Sequence, residues 1–150
     1  MKVKAINHIA IIVKDMGKAI HFYRDILGLK YVMDFLVSGP DTDKLLGLKG
    51  INAHIYLLKT ENDYTLLELT MYKHPKGRMQ FAKKEENDVG IRHICFEVDD
   101  IYEVYDVLFK KGVVFISEPI KMSVGKVCCF LKDPEGNSIE LIQLMDKDDN

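Results

Sequence analysis

Tryptophan is absent from this chain, cysteine occurs three times, and no apolar run approaches the roughly 20 residues that span a membrane. Each shortage excludes something. Without tryptophan, one strong anchor for stacking bases or sugars is missing. Cys95, Cys128 and Cys129 are odd in number and two of them are adjacent, so they make no disulfide framework and fit a reducing compartment. Met1-Lys2-Val3-Lys4-Ala5-Ile6 leads directly into an alternating strand and lacks the apolar stretch of a signal peptide. The net charge is −2, and Lys and Arg are scattered among nearly as many acids. Phosphate binding needs clustered, unopposed cations, so a nucleic-acid surface is not expected. The expectation is a cytoplasmic protein that binds neither nucleic acid nor membrane.

With 150 residues, 47% of them hydrophobic, the chain can bury one core, and a single domain over 1–150 is expected. Residues 6–13, Ile-Asn-His-Ile-Ala-Ile-Ile-Val, read as a mostly buried strand. Asp15 stands at an N-cap position, and Met16 to Leu27 carries apolar residues at helical spacing. Gly28 follows as a C′ residue, and a second strand starts near Tyr31. The same grammar returns after residue 90. Ile91 to Val98 reads as a strand, Asp99-Asp100 caps a helix from Ile101 to Lys111, Gly112 ends it, and Val113 to Ile116 reads as another strand.

A shift of 85 residues superimposes His8 on His93, Ile9 on Ile94, Val13 on Val98 and Asp15 on Asp100. Gly28 and Gly112 miss this shift by one place, which a one-residue indel absorbs. Each half closes with a hairpin pattern: Ala53–Leu58 with Tyr64–Tyr72, and Lys126–Leu131 with Ser138–Leu144 around the turn Asp133-Pro134-Glu135-Gly136-Asn137. Each half therefore reads βαβββ, with module 1 at 5–72, a linker at 73–89, module 2 at 90–144 and an acidic tail at 145–150. The loop Ser38 to Gly50 makes the first half longer, and a short helix is expected in the middle of the linker. The fold class is α+β: two tandem βαβββ modules forming a curved sheet around a central cavity, with helices on the outside.

Polar residues recur at equivalent places in the two modules. His8 and His93 lie early in the first strand of each, and Glu68 and Glu140 lie in the last. Leu67-Glu68-Leu69 and Ile139-Glu140-Leu141 alternate, so each glutamate points away from its apolar neighbours. Such a carboxylate must be paired, ligated or wet. A lone histidine on an apolar strand is ordinarily a satisfied core residue. The coincidence of both pairs under the repeat is what singles these four out. Two neutral imidazoles and two carboxylates suit one divalent ion: Zn, Ni, Co, Mn or Fe(II). In octahedral geometry two positions stay open for water or substrate oxygens. His21 on the first helix, His54 in a hairpin strand and His74 in the linker lack the repeat's support and read as surface or rim residues. Cys95 shares the face of His93, where a buried small hydrophobe is the stronger reading. Cys128 and Cys129 put one thiol on each face of their strand, and neither reads as a nucleophile.

The chain resembles the vicinal oxygen chelate (glyoxalase / bleomycin resistance / extradiol dioxygenase) superfamily. The resemblance rests on Asn7-His8-Ile9-Ala10, on Ala19 to Leu29, on Leu67-Glu68-Leu69, on Arg92 to Asp100 and on Asp133 to Leu141. It implies a metal enzyme in which all four ligand positions are filled, as in glyoxalase I and methylmalonyl-CoA epimerase. Extradiol dioxygenases and fosfomycin resistance enzymes use two histidines and one glutamate, and bleomycin-sequestering members bind no metal. The implied reaction is proton transfer next to a metal-bound carbonyl or enediolate oxygen, in a lyase or isomerase of lactoylglutathione-lyase type. By this resemblance Glu140 is the first choice of base and Glu68 the second, the substrate is a small molecule, and a homodimer is expected. Acyl-CoA epimerisation, extradiol ring cleavage and sequestration of a small molecule are the alternatives. Lys83 to Ile91 departs from the stretch that helps hold glutathione in glyoxalase I, and no separate acidic base of the epimerase type stands out around Asp34 to Ser38.

Overall fold

A computed structural model describes residues 2–78 and 85–145. The chain divides into two compact units, Met1–Phe81 and Ala82–Asn150. The short helix expected in the middle of the linker and residues 146–150 of the acidic tail lie outside the described residues.

Unit 1 runs β1 (His8–Ile12), α1 (Met16–Ile20), β2 (Lys30–Ser38), α2 (Pro40–Leu46), β3 (Asn52–Lys59) and β4 (Leu66–His74). Asp15 caps α1 as its side chain accepts from the Lys18 N–H at 3.1 Å. The helix then widens into a π-helical turn over His21–Ile26, in which the Leu27 N–H reaches back five residues to the Phe22 carbonyl at 2.9 Å. Gly28 follows at φ +81°, the left-handed conformation expected of a C′ residue. The strands form one open mixed sheet in the order β1-β4-β3-β2, with β1 parallel to β4 and the other pairs antiparallel.

Unit 2 repeats the plan: β5 (His93–Glu97), α3 (Ile101–Lys110), β6 (Ile120–Met122), β7 (Lys126–Lys132) and β8 (Ser138–Leu144). Asp100 caps α3 through the Tyr102 and Glu103 N–H groups, and Gly112 ends it at φ +80°. The sheet order is β5-β8-β7-β6, with β5 parallel to β8. Both modules are therefore βαβββ, and their sheets are wired identically. No helix among the described residues is long and apolar enough to cross a membrane.

Two local expectations need correcting. Val113 to Ile116 does not form the second strand of module 2. It makes only an isolated bridge between Phe115 and Leu131, and the strand paired with β7 is Ile120–Met122. Ser117-Glu118-Pro119 separates the two, and Pro119 has no N–H to extend a ladder. The loop Ser38 to Gly50 contains α2, which starts on Pro40 after Gly39 at φ +98° and ends at Gly47. The Asp43 carboxylate accepts from the Gly50 and Ile51 N–H groups at 2.7 and 2.8 Å, tying the helix to the start of β3. These hydrogen bonds hold the Asp43 carboxyl below its ordinary pKa.

One face of each sheet carries the core. α1 packs on β4 and α3 on β8. Leu58, Leu69 and Tyr23 are fully buried in unit 1, as are Ile101, Leu131 and Ile139 in unit 2. Because side chains alternate along a strand, burying these residues on one face sends Glu68 and Glu140 to the other. Leu131→Ala should lower the unfolding free energy by about 3 kcal/mol, through lost burial and the cavity left behind. Urea denaturation followed by circular dichroism measures it, and an unchanged midpoint would contradict this placement of the core.

Candidate functional site

In unit 1 the parallel register sets His8 level with Leu66 and Ala10 level with Glu68. His8 and Glu68 thus stand on one face of neighbouring strands, offset by two residues. His8 Nε2 lies 3.9 Å from Glu68 Oε2. The other ring nitrogen, Nδ1, is 2.9 Å from Asn7 Oδ1. A carboxamide oxygen only accepts, so in the neutral ring Nδ1 carries the hydrogen and Nε2 keeps its lone pair towards the carboxylate. Glu68 Oε1 accepts from Thr70 Oγ1 at 2.7 Å. The glutamate side chain is only 18% exposed. A nitrogen lone pair and a carboxylate oxygen facing each other at that distance are two acceptors, which a water, a proton or a metal ion bridges.

Unit 2 reproduces the geometry. His93 is level with Ser138 and Cys95 with Glu140, so the histidine again precedes the glutamate by two register places. His93 Nε2 lies 3.2 Å from Glu140 Oε2, and the glutamate side chain is 13% exposed. Phe130, opposite Glu140 across β7, packs edge-on against the His93 ring with centroids 5.1 Å apart. Cys95 is level with Glu140 in the parallel register, Cys128 shares its sheet face across β7, and both thiols feel the Glu140 charge. Cys95 is an exposed residue, in contrast to the buried hydrophobe expected, and its thiol is nevertheless pushed up to about 12, by desolvation first and by the Glu140 charge second. Burial likewise raises Cys128 and takes Cys129 up to about 11. All three stay protonated thiols near neutral pH, unsuited as nucleophiles.

The four residues singled out by the repeat thus form two matched His–Glu pairs, one in each unit. Among the described residues no three His, Cys, Asp or Glu side chains converge closely enough to hold an ion by themselves. Several partners escaped the sequence reading. Thr70 sits two residues beyond Glu68, the spacing that shares a strand face, and Asn7 immediately precedes His8. Both signals are local and were available. Phe130 and Ser138 become relevant only through the β7–β8 and β5–β8 registers, which the sequence does not display.

The remaining histidines join neither pair. His21 Nδ1 contacts Asp25 Oδ2 at 3.2 Å on the first helix, and His74 is exposed at the end of β4. His54 lies next to Ile55 and so on the opposite sheet face from Glu68, and its Nε2 is 2.7 Å from Asp34 Oδ2. Tyr31 donates to the other Asp34 oxygen at 2.8 Å. The contacts with His54 first, and Tyr31 second, hold the Asp34 carboxyl below its ordinary pKa.

Residues 5–141 match the profile of the Glyoxalase/Bleomycin resistance protein/Dioxygenase superfamily. The chain is 33% identical over 143 residues to a probable lactoylglutathione lyase of Synechocystis sp., covering 95% of this chain and 97% of that protein. It is 33% identical over 145 residues to the mitochondrial methylmalonyl-CoA epimerase of Homo sapiens, covering 92% of this chain and 73% of the relative. A glyoxalase family protein from Bacillus cereus shares the fold with a TM-score of 0.87, at 23% identity and 97% coverage of both chains.

Acid titration tests the His54–Asp34 contact. A carboxyl whose pKa is depressed by folding contributes stability above its unfolded pKa and loses it as pH falls through the folded value. Asp34→Asn should therefore be destabilising near neutral pH and converge on the wild type as the pH is lowered through and below the ordinary carboxylate range. Urea midpoints across that range measure the difference, and a constant offset would show that Asp34 is not depressed.

Proposed function

Because the chain belongs to the Glyoxalase/Bleomycin resistance protein/Dioxygenase superfamily, we propose that it is a divalent-metal-dependent lyase or isomerase of the glyoxalase I type. The substrate is a small molecule in which a proton moves on the carbon next to a carbonyl. One observation supports this most: a histidine Nε2 and a glutamate Oε2 face each other in both modules, on equivalent strands and with the same register offset. In this reading His8, Glu68, His93 and Glu140 are the metal ligands. The donor set fits Zn, Ni, Co, Mn or Fe(II), since it offers two imidazole nitrogens and two carboxylates. An ion held there would supply Lewis-acid polarisation of the substrate carbonyl, which acidifies the adjacent C–H.

The chain's own residues do the rest. Glu140 takes the proton from that carbon and returns it to the neighbouring one, with Glu68 as the second choice. Thr70 engages one oxygen of Glu68 with a strong hydroxyl donor. Glu140 instead faces His93 Nε2 at 3.2 Å with the Cys95 and Cys128 thiols beside it, and a thiol is a weak donor. Asn7 and Phe130 fix the rings of His8 and His93. The similarity to the human epimerase favours a second reading with the same proton step. There the proton is returned to the carbon it left, on the opposite face, and the two glutamates serve the two faces.

Protein purified without chelators should contain a single divalent ion per chain, and His8→Ala or His93→Ala should lose it. Glu140→Gln should lower kcat by about 100-fold or more. Formation of lactoylglutathione and epimerisation of methylmalonyl-CoA are the two assays. Stoichiometric metal absent from the purified protein, or full activity in Glu140→Gln, would overturn the reading.

A further inference from the structure

Beside the His93–Glu140 pair, three polar side chains converge without a role in proton transfer. Ser138 is the register partner of both His93 on β5 and Lys132 on β7, and Glu140 lies two residues further along the same face of β8. Ser138 is 95% buried as a residue, at 5% relative exposure. Lys132 Nζ donates to Ser138 Oγ at 2.7 Å, which leaves the Ser138 O–H to donate onward, and it does so to Glu86 Oε1 in a short contact. Lys132 Nζ also reaches that same oxygen at 3.4 Å. Glu86 comes from outside the sheet, on a turn closed by the Asp88 N–H to the Glu85 carbonyl at 3.1 Å and the Glu85 N–H to Asp88 Oδ2 at 2.9 Å. Its carboxyl is held below the ordinary range by the Ser138 hydrogen bond first and by Lys132 as well.

A hydroxyl and an ammonium aimed at one carboxylate oxygen make an anion seat, and charge-assisted bonds of this kind are the stronger class. Two structural facts separate the seat from an ordinary surface ion pair. Its central hydroxyl is buried, whereas the Glu86 side chain that fills it is 43% exposed. It also lies on the sheet face that carries Glu140, two residues away along β8.

We propose that Lys132 Nζ and Ser138 Oγ form a seat for a carboxylate of the substrate, and that Glu86 occupies it as an internal stand-in until the substrate displaces it. The lactoylglutathione and methylmalonyl-CoA named for the relatives both carry free carboxylates. The assignment to substrate rests on the proposed function, but the seat itself does not, because neither of its donors is a metal ligand. No covalent step is involved: Glu86 leaves with its charge and an incoming carboxylate replaces it.

Succinate is a suitable probe, titrated into the full chain after metal removal with EDTA so that it has no ion to bind. Amide chemical shifts of Ser138 and its neighbours report the seat. Glu86→Gln removes the internal competitor's charge and should bind succinate about tenfold more tightly than the wild type, the worth of one charge-assisted contact. Adding Lys132→Met to that variant should abolish the saturable shift. Unchanged succinate affinity in Glu86→Gln, or retained binding in the double variant, would overturn the proposal. If Glu86→Gln does not fold, the wild type against Lys132→Met decides: a saturable shift in the first and none in the second supports the seat, and any other result overturns it. Metal-free binding leaves the outcome independent of whether the chain is a metal enzyme.

Discussion

Parallel pairing between the first and last strand of each module is the constraint on which the site depends. In β1–β4 and β5–β8 the register brings a histidine and a glutamate to one face, separated by two residue places. A slip by one residue in either pair would turn its histidine or glutamate towards the helix face and bury an unpaired polar group there. The apolar residues beside each glutamate prevent it. Leu67 and Leu69, and Ile139 and Leu141, are buried against the helices, so the register that buries them is also the register that presents Glu68 and Glu140. Folding energy and function are thus set by the same strand alternation.

The price of that arrangement is a pair of poorly hydrated carboxylates. Each is provided for differently. Glu68 has a hydroxyl donor in Thr70, while Glu140 sits beside Cys95 and Cys128, whose thiols it helps keep protonated. The two glutamates are therefore alike in their histidine and apolar neighbours and unlike in the polar side chains beside them. The duplicated scaffold repeats the histidine–glutamate pairing and differs in the side chains around it. The Lys132–Ser138–Glu86 cluster extends this asymmetry, since the register position of Ser138 in module 2 is held by Leu66 in module 1.

Much of the fold was legible because the strongest signals are local. Asp15 and Asp100 cap their helices, Gly28 and Gly112 adopt positive φ after them, and the 85-residue repeat aligns the two units. The reading of Val113 to Ile116 as a strand failed because apolar β-branched composition does not provide a pairing partner. The partner strand β7 reaches Phe115 at one bridge only, and pairs over its length with Ile120–Met122. α2 was hidden by a segment whose composition resembles a loop, with Gly39 and Pro40 starting it and the Asp43 side chain closing back on Gly50 and Ile51. At the site, the histidines and glutamates were visible as a repeat. Their partners Phe130 and Ser138 were not, since only pairing across strands brings them there.

X-ray absorption at the edge of the bound metal is the decisive measurement of the four-residue ligand set, because imidazole rings and sulfur each leave a signature distinct from carboxylate oxygen. Two imidazole nitrogens and carboxylate oxygens without sulfur are expected in the wild type, and loss of the metal in His8→Ala, with a single imidazole around any residual ion. Scattering from sulfur, or an unaltered two-imidazole signature in His8→Ala, would contradict that ligand set.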